Sequence, residues 1–180
     1  TEDVRFVYED IYLNEQLTPT FPRRFRTGYS NEGTPMELEI VDDFTFTVTF
    51  DEPYGGFLRN ITIEGWNGYT VLLRPSHHLK MIHPDYTDMA EIQPLLDEAG
   101  LTDEWWTYFT DNDCLNWHVT RPRCLGFPQL NPWLIQETDE PGLIHMVRNP
   151  YYYKVDTTGK QLPYVDEIKS VLVNDVEAVN

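Results

Sequence analysis

The chain has 180 residues, and 13 Lys and Arg against 30 Asp and Glu give it a formal net charge of −17 at pH 7. This charge argues against nucleic acid as a partner, because contact with phosphates requires clustered basic side chains. Apolar residues make up 41% of the chain, enough for a folded core, but no apolar run approaches the roughly 20 residues of a transmembrane helix.

The first predicted element is a helix at the N-terminus. Thr1 suits an N-cap position, and apolar side chains then recur at helical spacing to about residue 13. Residues 15–35 contain three prolines and two glycines, so we expect a long loop. The arginines at positions 23, 24 and 26 of this loop leave two interpretations open, which are contact with an anion or partner and pairing with the acidic surface.

A β-hairpin over residues 36–50 is the clearest local prediction. Apolar side chains alternate with glutamates from Met36 to Ile40 and with threonines from Phe44 to Phe50, on either side of an acidic turn. Because side chains on a strand alternate between its two faces, this pattern predicts two antiparallel strands with one buried face.

The middle of the chain is predicted to be helical. A short helix follows the break at residues 51–56, another runs from Ser76 to Ile82 behind Pro75, and a third from Met89 to Ala99 ends at Gly100. Residues 102–104 cap one more, which carries an aromatic cluster. Strands are then predicted at 132–137, 143–147 and 165–173, with a tight turn at 156–160, which gives an α+β fold.

Two cysteines, Cys114 and Cys124, lie ten residues apart. A disulfide in an oxidising compartment and a pair of free buried thiols both fit this spacing.

Three histidines and an aspartate form the densest group of side chains that bind metals, namely His77, His78, His83 and Asp85. A separation of five residues does not place His78 and His83 on one helix face. We therefore expect histidines at the surface or at helix ends, with no metal site and no cofactor. The sequence also contains no set of nucleophile, base and orienting residue, so we predict no catalytic residue.

Four stretches resemble segments of one protein family, in the family's own order. They are TEDVRF from Thr1, DDFTFTVTFDEPY from Asp42, LRPSHHL from Leu73, and RNPYYYKVD from Arg148 followed by QLPYVDEI from Gln161. The family is that of the family 5 extracellular solute-binding proteins of ABC importers, which bind oligopeptides, dipeptides, nickel or oligosaccharides. The stretch 130–135 departs from the family's usual G-x-G-P-Y pattern, which argues against a dipeptide or nickel specificity.

The resemblance implies two lobes that close on a ligand and a third, peripheral domain. Residues 1–125 would be part of the peripheral domain and residues 126–180 would be strands that return to lobe I, in a mixed, partial architecture of the periplasmic-binding-protein type II kind. We thus expect an internal piece of a longer protein. Its implied function is to capture an oligopeptide or oligosaccharide and deliver it to ABC permease subunits, without catalysis. The full-length protein would be extracellular or periplasmic, with a lipoprotein anchor.

The resemblance also indicates ligand contacts, because the stretch before the Leu73 motif passes near the mouth of the family's cleft. Trp66 and Tyr69 are expected to stack on a sugar or cover an apolar side chain, and Glu64 and Asn67 to form hydrogen bonds. Trp133, at the start of the returning strand, is a further candidate. The alternative is that Trp66 and Trp133 seal the join between peripheral domain and lobe.

Two other function classes remain as alternatives. A fragment of a secreted carbohydrate-active enzyme suits an acidic, aromatic-rich chain, but glycoside hydrolysis needs two carboxylates across one cleft. Glu64, beside Trp66, is a candidate for one of them and has no evident partner in the sequence. A purely structural domain is the other alternative.

Overall fold

Helices and strands both occur along the chain, as the predicted α+β fold class requires, and that class is confirmed. The structure, a computed structural model, describes residues 1–62, 69–114 and 122–173. Contacts divide the chain into unit 1, Thr1–Asp113, and unit 2, Cys114–Asn180. The assignment of residues 1–125 to a peripheral domain and of 126–180 to lobe I stays a prediction.

Unit 1 combines short helices with one hairpin. In chain order its elements are α1 (Glu2–Phe6, continued by a π-helical stretch Val7–Tyr12), β1 (Glu37–Ile40), β2 (Phe46–Thr49), α2 (Phe57–Thr62), α3 (Ser76–Leu79), α4 (Met89–Glu98) and α5 (Trp105–Asn112). Short 3₁₀ turns lie at Arg23–Phe25, Thr27–Tyr29, Tyr69–Leu72 and Lys80–Ile82. These bounds confirm the predicted helices at the N-terminus, behind Pro75, before Gly100 and around the aromatic cluster.

The start of α1 is tied to the turn of the hairpin. The hydroxyl of Thr1 donates to the backbone carbonyl oxygen of Asp42 at 2.9 Å, and its ammonium group donates to that of Asp43 at 3.1 Å. Thr1 is the N-cap residue of α1, as predicted, but its side chain makes no capping hydrogen bond to the helix, because its hydroxyl donates to the carbonyl of the turn instead.

The predicted hairpin is confirmed, although its buried face is less complete than expected. Strands β1 and β2 are antiparallel, with Leu38 opposite Val48 and Ile40 opposite Phe46. Leu38, Ile40 and Val48 are half-buried, whereas Phe46 is exposed and Phe44 is 95% exposed. Phe44 lies in the turn, beyond the paired residues, so strand alternation does not carry it to the covered face.

The core of unit 1 forms where α1, α4 and α5 contribute apolar side chains. Phe6, Ile92, Leu96 and Phe109 are fully buried there. His83 is buried among the aromatic rings, with ring centroids 4.9 Å from Trp105 and 5.7 Å from Phe109. Of the two expected positions, the helix end is confirmed for His83, which follows the 3₁₀ turn Lys80–Ile82, and the surface position is wrong, because the side chain packs among aromatic rings.

Two arginines of the 15–35 loop, Arg23 and Arg26, contact other residues of the same loop. Arg26 donates to the backbone carbonyl oxygens of Phe21 at 3.1 Å and Gly33 at 2.9 Å. The guanidinium of Arg23 lies over the ring of Tyr29, 4.6 Å from its centroid. Neither interpretation of the sequence anticipated these roles.

Unit 2 is built on a three-stranded antiparallel sheet in the order β3, β4, β5. Its strands are β3 (Trp133–Gln136), β4 (Leu143–Arg148) and β5 (Glu167–Val171), which confirms the three predicted strands. A 3₁₀ turn at Pro122–Cys124 precedes them, and Cys124 forms a disulfide with Cys114. The structure thus selects the disulfide from the two states that the sequence left open.

The predicted tight turn at residues 156–160 is also present. The carboxylate oxygen Oδ1 of Asp156 accepts hydrogen bonds from the backbone N–H groups of Thr158 at 2.8 Å and Lys160 at 2.9 Å. Hydrogen bonds from the Tyr164 and Thr158 hydroxyls and from these N–H groups hold the pKa of Asp156 below its usual range. The carboxylate is therefore ionised and closes the turn.

Candidate functional site

The predicted ligand contacts fall at three kinds of position. Glu64, Trp66 and Asn67 lie outside the described residues. Tyr69 begins the 3₁₀ turn Tyr69–Leu72, and Trp133 begins β3. All five assignments stay predictions.

The indole N–H of Trp133 is hydrogen-bonded within unit 2. Its indole N–H donates to the backbone carbonyl oxygen of Val165 at 3.1 Å, and the residue is half-buried. This bond ties the start of β3 to the segment that leads into β5.

A pocket of about 350 Å³ lies beside β3 in unit 2. Residues from the segment before β3, from β3 itself and from the segment after β4 line it: Gly126, Phe127, Pro128, Gln129, Leu134, Ile135, Gln136, Asn149 and Tyr151. Its volume is at the lower end of the range of about 300–1,000 Å³ that is typical of small-molecule sites. We call it the unit 2 pocket.

Asn149 holds two walls of the unit 2 pocket together. Its side chain is buried, and its amide nitrogen donates to the backbone carbonyl oxygens of Gln129 at 3.3 Å and Asn131 at 2.9 Å. Its Oδ1 accepts from the backbone N–H of Tyr151 at 2.9 Å. With all these bonds formed, the amide fixes the segment before β3 against the segment after β4.

The lining of the unit 2 pocket changes from buried to exposed side chains. Phe127 is buried, whereas Tyr151 is 89% exposed. Between these extremes, the half-buried side chains of Gln129 and Gln136 contribute amide groups. Apolar surface with a few neutral polar groups suits reversible binding of an uncharged molecule.

The two units differ in charge. Unit 1 carries 22 acidic and 7 basic residues, a formal charge of −15, while unit 2 carries 8 and 6, a formal charge of −2. A protein surface with an excess of one charge attracts ions of the opposite charge and repels ions of the same charge. Unit 2 therefore has little net charge of its own.

The sequence did not reveal the unit 2 pocket. Residues 126–129 have no periodicity. Asn149 and Tyr151 belong to a stretch that resembles a family motif, but the motif does not indicate a pocket. The departure from the family pattern at residues 130–135 was the available signal, because this stretch follows the lining residues 126–129 and includes the lining residues Leu134 and Ile135.

The described residues, 1–62, 69–114 and 122–173, lack a metal-binding cluster and a membrane-spanning helix. They contain no group of three or more His, Cys, Asp or Glu side chains that could hold a metal ion. None of their helices has the length and hydropathy needed to cross a bilayer.

Comparison with curated proteins finds a similar binding protein. The chain is 30% identical over 185 residues to the periplasmic alpha-galactoside-binding protein of Rhizobium meliloti (strain 1021), an alignment that covers 99% of this chain and 22% of that protein. No family model matches the chain.

Solved structures point to the same kind of protein. An oligopeptide-binding protein OppA matches with a TM-score of 0.77 and 30% identity, over 99% of this chain and 25% of that one. The periplasmic binding protein MelB of Agrobacterium fabrum C58, in complex with stachyose, matches with a TM-score of 0.59 and 26% identity, over 96% and 22%. All three relatives are binding proteins, which confirms the resemblance predicted from the motifs, and the chain spans a quarter of their length or less.

Proposed function

We propose that this chain is a segment of the capture component of an ABC importer, which binds an oligosaccharide or an oligopeptide outside the membrane. The observation that carries the proposal is similarity along 99% of the chain both to an alpha-galactoside-binding protein and to the structure of an oligopeptide-binding protein. One of these relatives is periplasmic by name, which supports an extracellular or periplasmic location for the full-length protein.

The proposed mechanism is hinge closure of two lobes around a solute, followed by delivery to permease subunits. Within this segment we propose Glu64, Trp66, Asn67, Tyr69 and Trp133 as ligand contacts. The aromatic rings would cover apolar faces of the ligand, and Glu64 and Asn67 would bind its polar groups. A lipoprotein anchor would hold the full-length protein at the membrane.

Calorimetric titration of the full-length protein tests the binding function directly. The panel contains stachyose and other alpha-galactosides on one side and uncharged tetrapeptides on the other. We expect saturable binding of one class, weakened by Trp66→Ala and unchanged by Phe44→Ala, which removes a ring that is 95% exposed and is not among the predicted contacts. A full-length protein that binds neither class would contradict the proposal.

The import function needs a separate measurement in cells. Deletion of the full-length gene is expected to abolish uptake of the labelled ligand identified by calorimetry, and the intact gene should restore it. Chromatography of alpha-galactosides incubated with the purified protein tests the enzyme alternative, and the appearance of hydrolysis products would favour that alternative over transport.

A further inference from the structure

The unit 2 pocket has a lining without charge. All nine residues that line it are uncharged at neutral pH. A charged peptide terminus or side chain placed there would lose its water without gaining an opposite charge, which is costly. The lining therefore favours a neutral ligand.

Two amide groups at the pocket retain hydrogen-bonding capacity. Oε1 of Gln129 accepts from the side chain of Asn131 at 2.8 Å, and Nε2 of Gln136 donates to the backbone carbonyl oxygen of Ile135 at 3.1 Å. Within the described part of the chain, Nε2 of Gln129 and Oε1 of Gln136 have no hydrogen-bond partner. These two amides thus offer the pocket both a donor and an acceptor, and a hydroxyl group can pair with both because it donates and accepts.

Tyr151 contributes an aromatic ring to the lining of the unit 2 pocket. Its ring is 89% exposed although it lines the pocket, so packing within this chain uses little of it. Aromatic residues usually bury most of their surface, and an exposed ring beside a pocket is suited to contact with a ligand. Its backbone N–H donates to buried Asn149, which holds the backbone of Tyr151 in place beside the pocket.

We infer that the unit 2 pocket binds one ring of a neutral oligosaccharide, with Tyr151 against the apolar face of the ring and Gln129 and Gln136 paired with its hydroxyl groups. This inference rests on the proposed function and narrows its ligand to a saccharide. A volume of about 350 Å³ accommodates one ring, and the remaining rings extend beyond the pocket.

Titration of the full-length protein and its variants with stachyose, and in parallel with tetra-alanine, tests this inference. We expect wild type to bind stachyose, Tyr151→Ala and Gln129→Ala each to weaken that binding about 10-fold, and Tyr151→Phe to retain it within about 2-fold. The matched control is Tyr153→Ala, which removes another exposed tyrosine that does not line the pocket and should leave the affinity unchanged. Thermal unfolding of each variant establishes that it is folded.

The outcomes separate this inference from the function on which it rests. Stachyose affinity that stays unchanged in folded Tyr151→Ala and Gln129→Ala proteins overturns the inference and leaves the binding function intact. Such a result together with a lowered Tm would assign the pocket to packing against another part of the full-length protein. Binding of tetra-alanine without stachyose also overturns the inference, whereas binding of neither ligand to wild type overturns the proposed function itself.

Discussion

The carboxylate of Asp3 accepts two hydrogen bonds from Ser76, one from its backbone N–H at 2.9 Å and one from its hydroxyl at 2.6 Å. Ser76 is buried and begins α3, where the preceding Pro75 provides no side-chain cap. Asp3, at the start of α1 and 73 residues away in sequence, therefore satisfies the first N–H group of α3 as a capping residue does. This contact links the two helices directly.

Asp3→Ala is expected to lower the free energy of unfolding by about 1–3 kcal/mol, because it leaves a buried N–H and a buried hydroxyl without their acceptor. Urea unfolding followed by near-ultraviolet circular dichroism measures the change. Asp43→Ala is the control, since the hairpin turn uses only the backbone carbonyl of that residue to hold Thr1, and it should change stability by less than about 0.5 kcal/mol. Equal stabilities of the two variants would contradict the capping role.

His83 is expected to make unit 1 less stable as the pH falls. Burial lowers the pKa of His83 below its ordinary value, and Asp85 and Asp10 oppose this change. The unfolded state therefore takes up a proton at a higher pH than the folded state does. The stability contributed by neutral His83 is present above the unfolded pKa of about 6.5 and is lost progressively below it.

Urea unfolding between about pH 8 and pH 5 measures this loss, with His83→Gln as the test variant. The variant should be less stable than wild type at pH 8 but should show a shallower decline across this window. Burial also lowers the pKa of His78, so part of the decline remains. Glu2 contributes little in this window, because hydrogen bonds from Arg5 and Lys80 lower its pKa from 4.5 to about 2, and its stability contribution is therefore lost mainly below pH 5. An unchanged slope in His83→Gln would refute the assignment.

Asn149→Ala is expected to destabilise unit 2 by about 2–4 kcal/mol, since it removes a buried amide that makes three hydrogen bonds to the backbone. Asn149→Asp is the sharper variant. It keeps the acceptor for the N–H of Tyr151 but places an oxygen where the amide donates to two carbonyl groups. Thermal unfolding should rank wild type above both variants, and a fully stable Asn149→Asp protein would show that the donor bonds are dispensable.

The disulfide between Cys114 and Cys124 should stabilise unit 2 by about 2–3 kcal/mol, the amount expected for a closed loop of roughly ten residues. The double variant Cys114→Ala, Cys124→Ala is expected to have a lower Tm than the oxidised wild type. Dithiothreitol should lower the Tm of wild type toward that of the variant and leave the variant unaffected. Wild type that unfolds at the same temperature with and without reductant would contradict this expectation.

The spacing of apolar residues along the sequence was sufficient to predict the helices and strands of this fold. It was not sufficient to predict which side chains on them are buried. Alternation from Met36 to Phe50 predicted the hairpin, yet the same alternation placed Phe44 on a buried face although it lies 95% exposed in the turn. His83 is the opposite case, a residue that was expected at the surface or at a helix end but is buried. Its neighbours have no helical period, and its burial results from rings that come from α1 and α5, distant in sequence.

The candidate site was less accessible to sequence reasoning, because a pocket depends on the packing of separate segments. The family resemblance directed attention to Trp66 and its neighbours, whose contacts stay predictions. The unit 2 pocket combines Gln129, Gln136 and Tyr151, which become neighbours only when Asn149 joins the segments before β3 and after β4. The three consecutive tyrosines 151–153 do not reveal from sequence alone which ring is the most exposed.

The disulfide between Cys114 and Cys124 would keep the chain in one covalent piece if the backbone were cut between these two residues. Arg123, an exposed residue, lies between the two cysteines in sequence. Trypsin cutting after it would yield fragments 1–123 and 124–180, and the sulfur atoms would keep them in a single covalent molecule. Under non-reducing electrophoresis such a nicked chain migrates as one species, and only after reduction does it separate into a large fragment of formal charge −13 and a small one of formal charge −4.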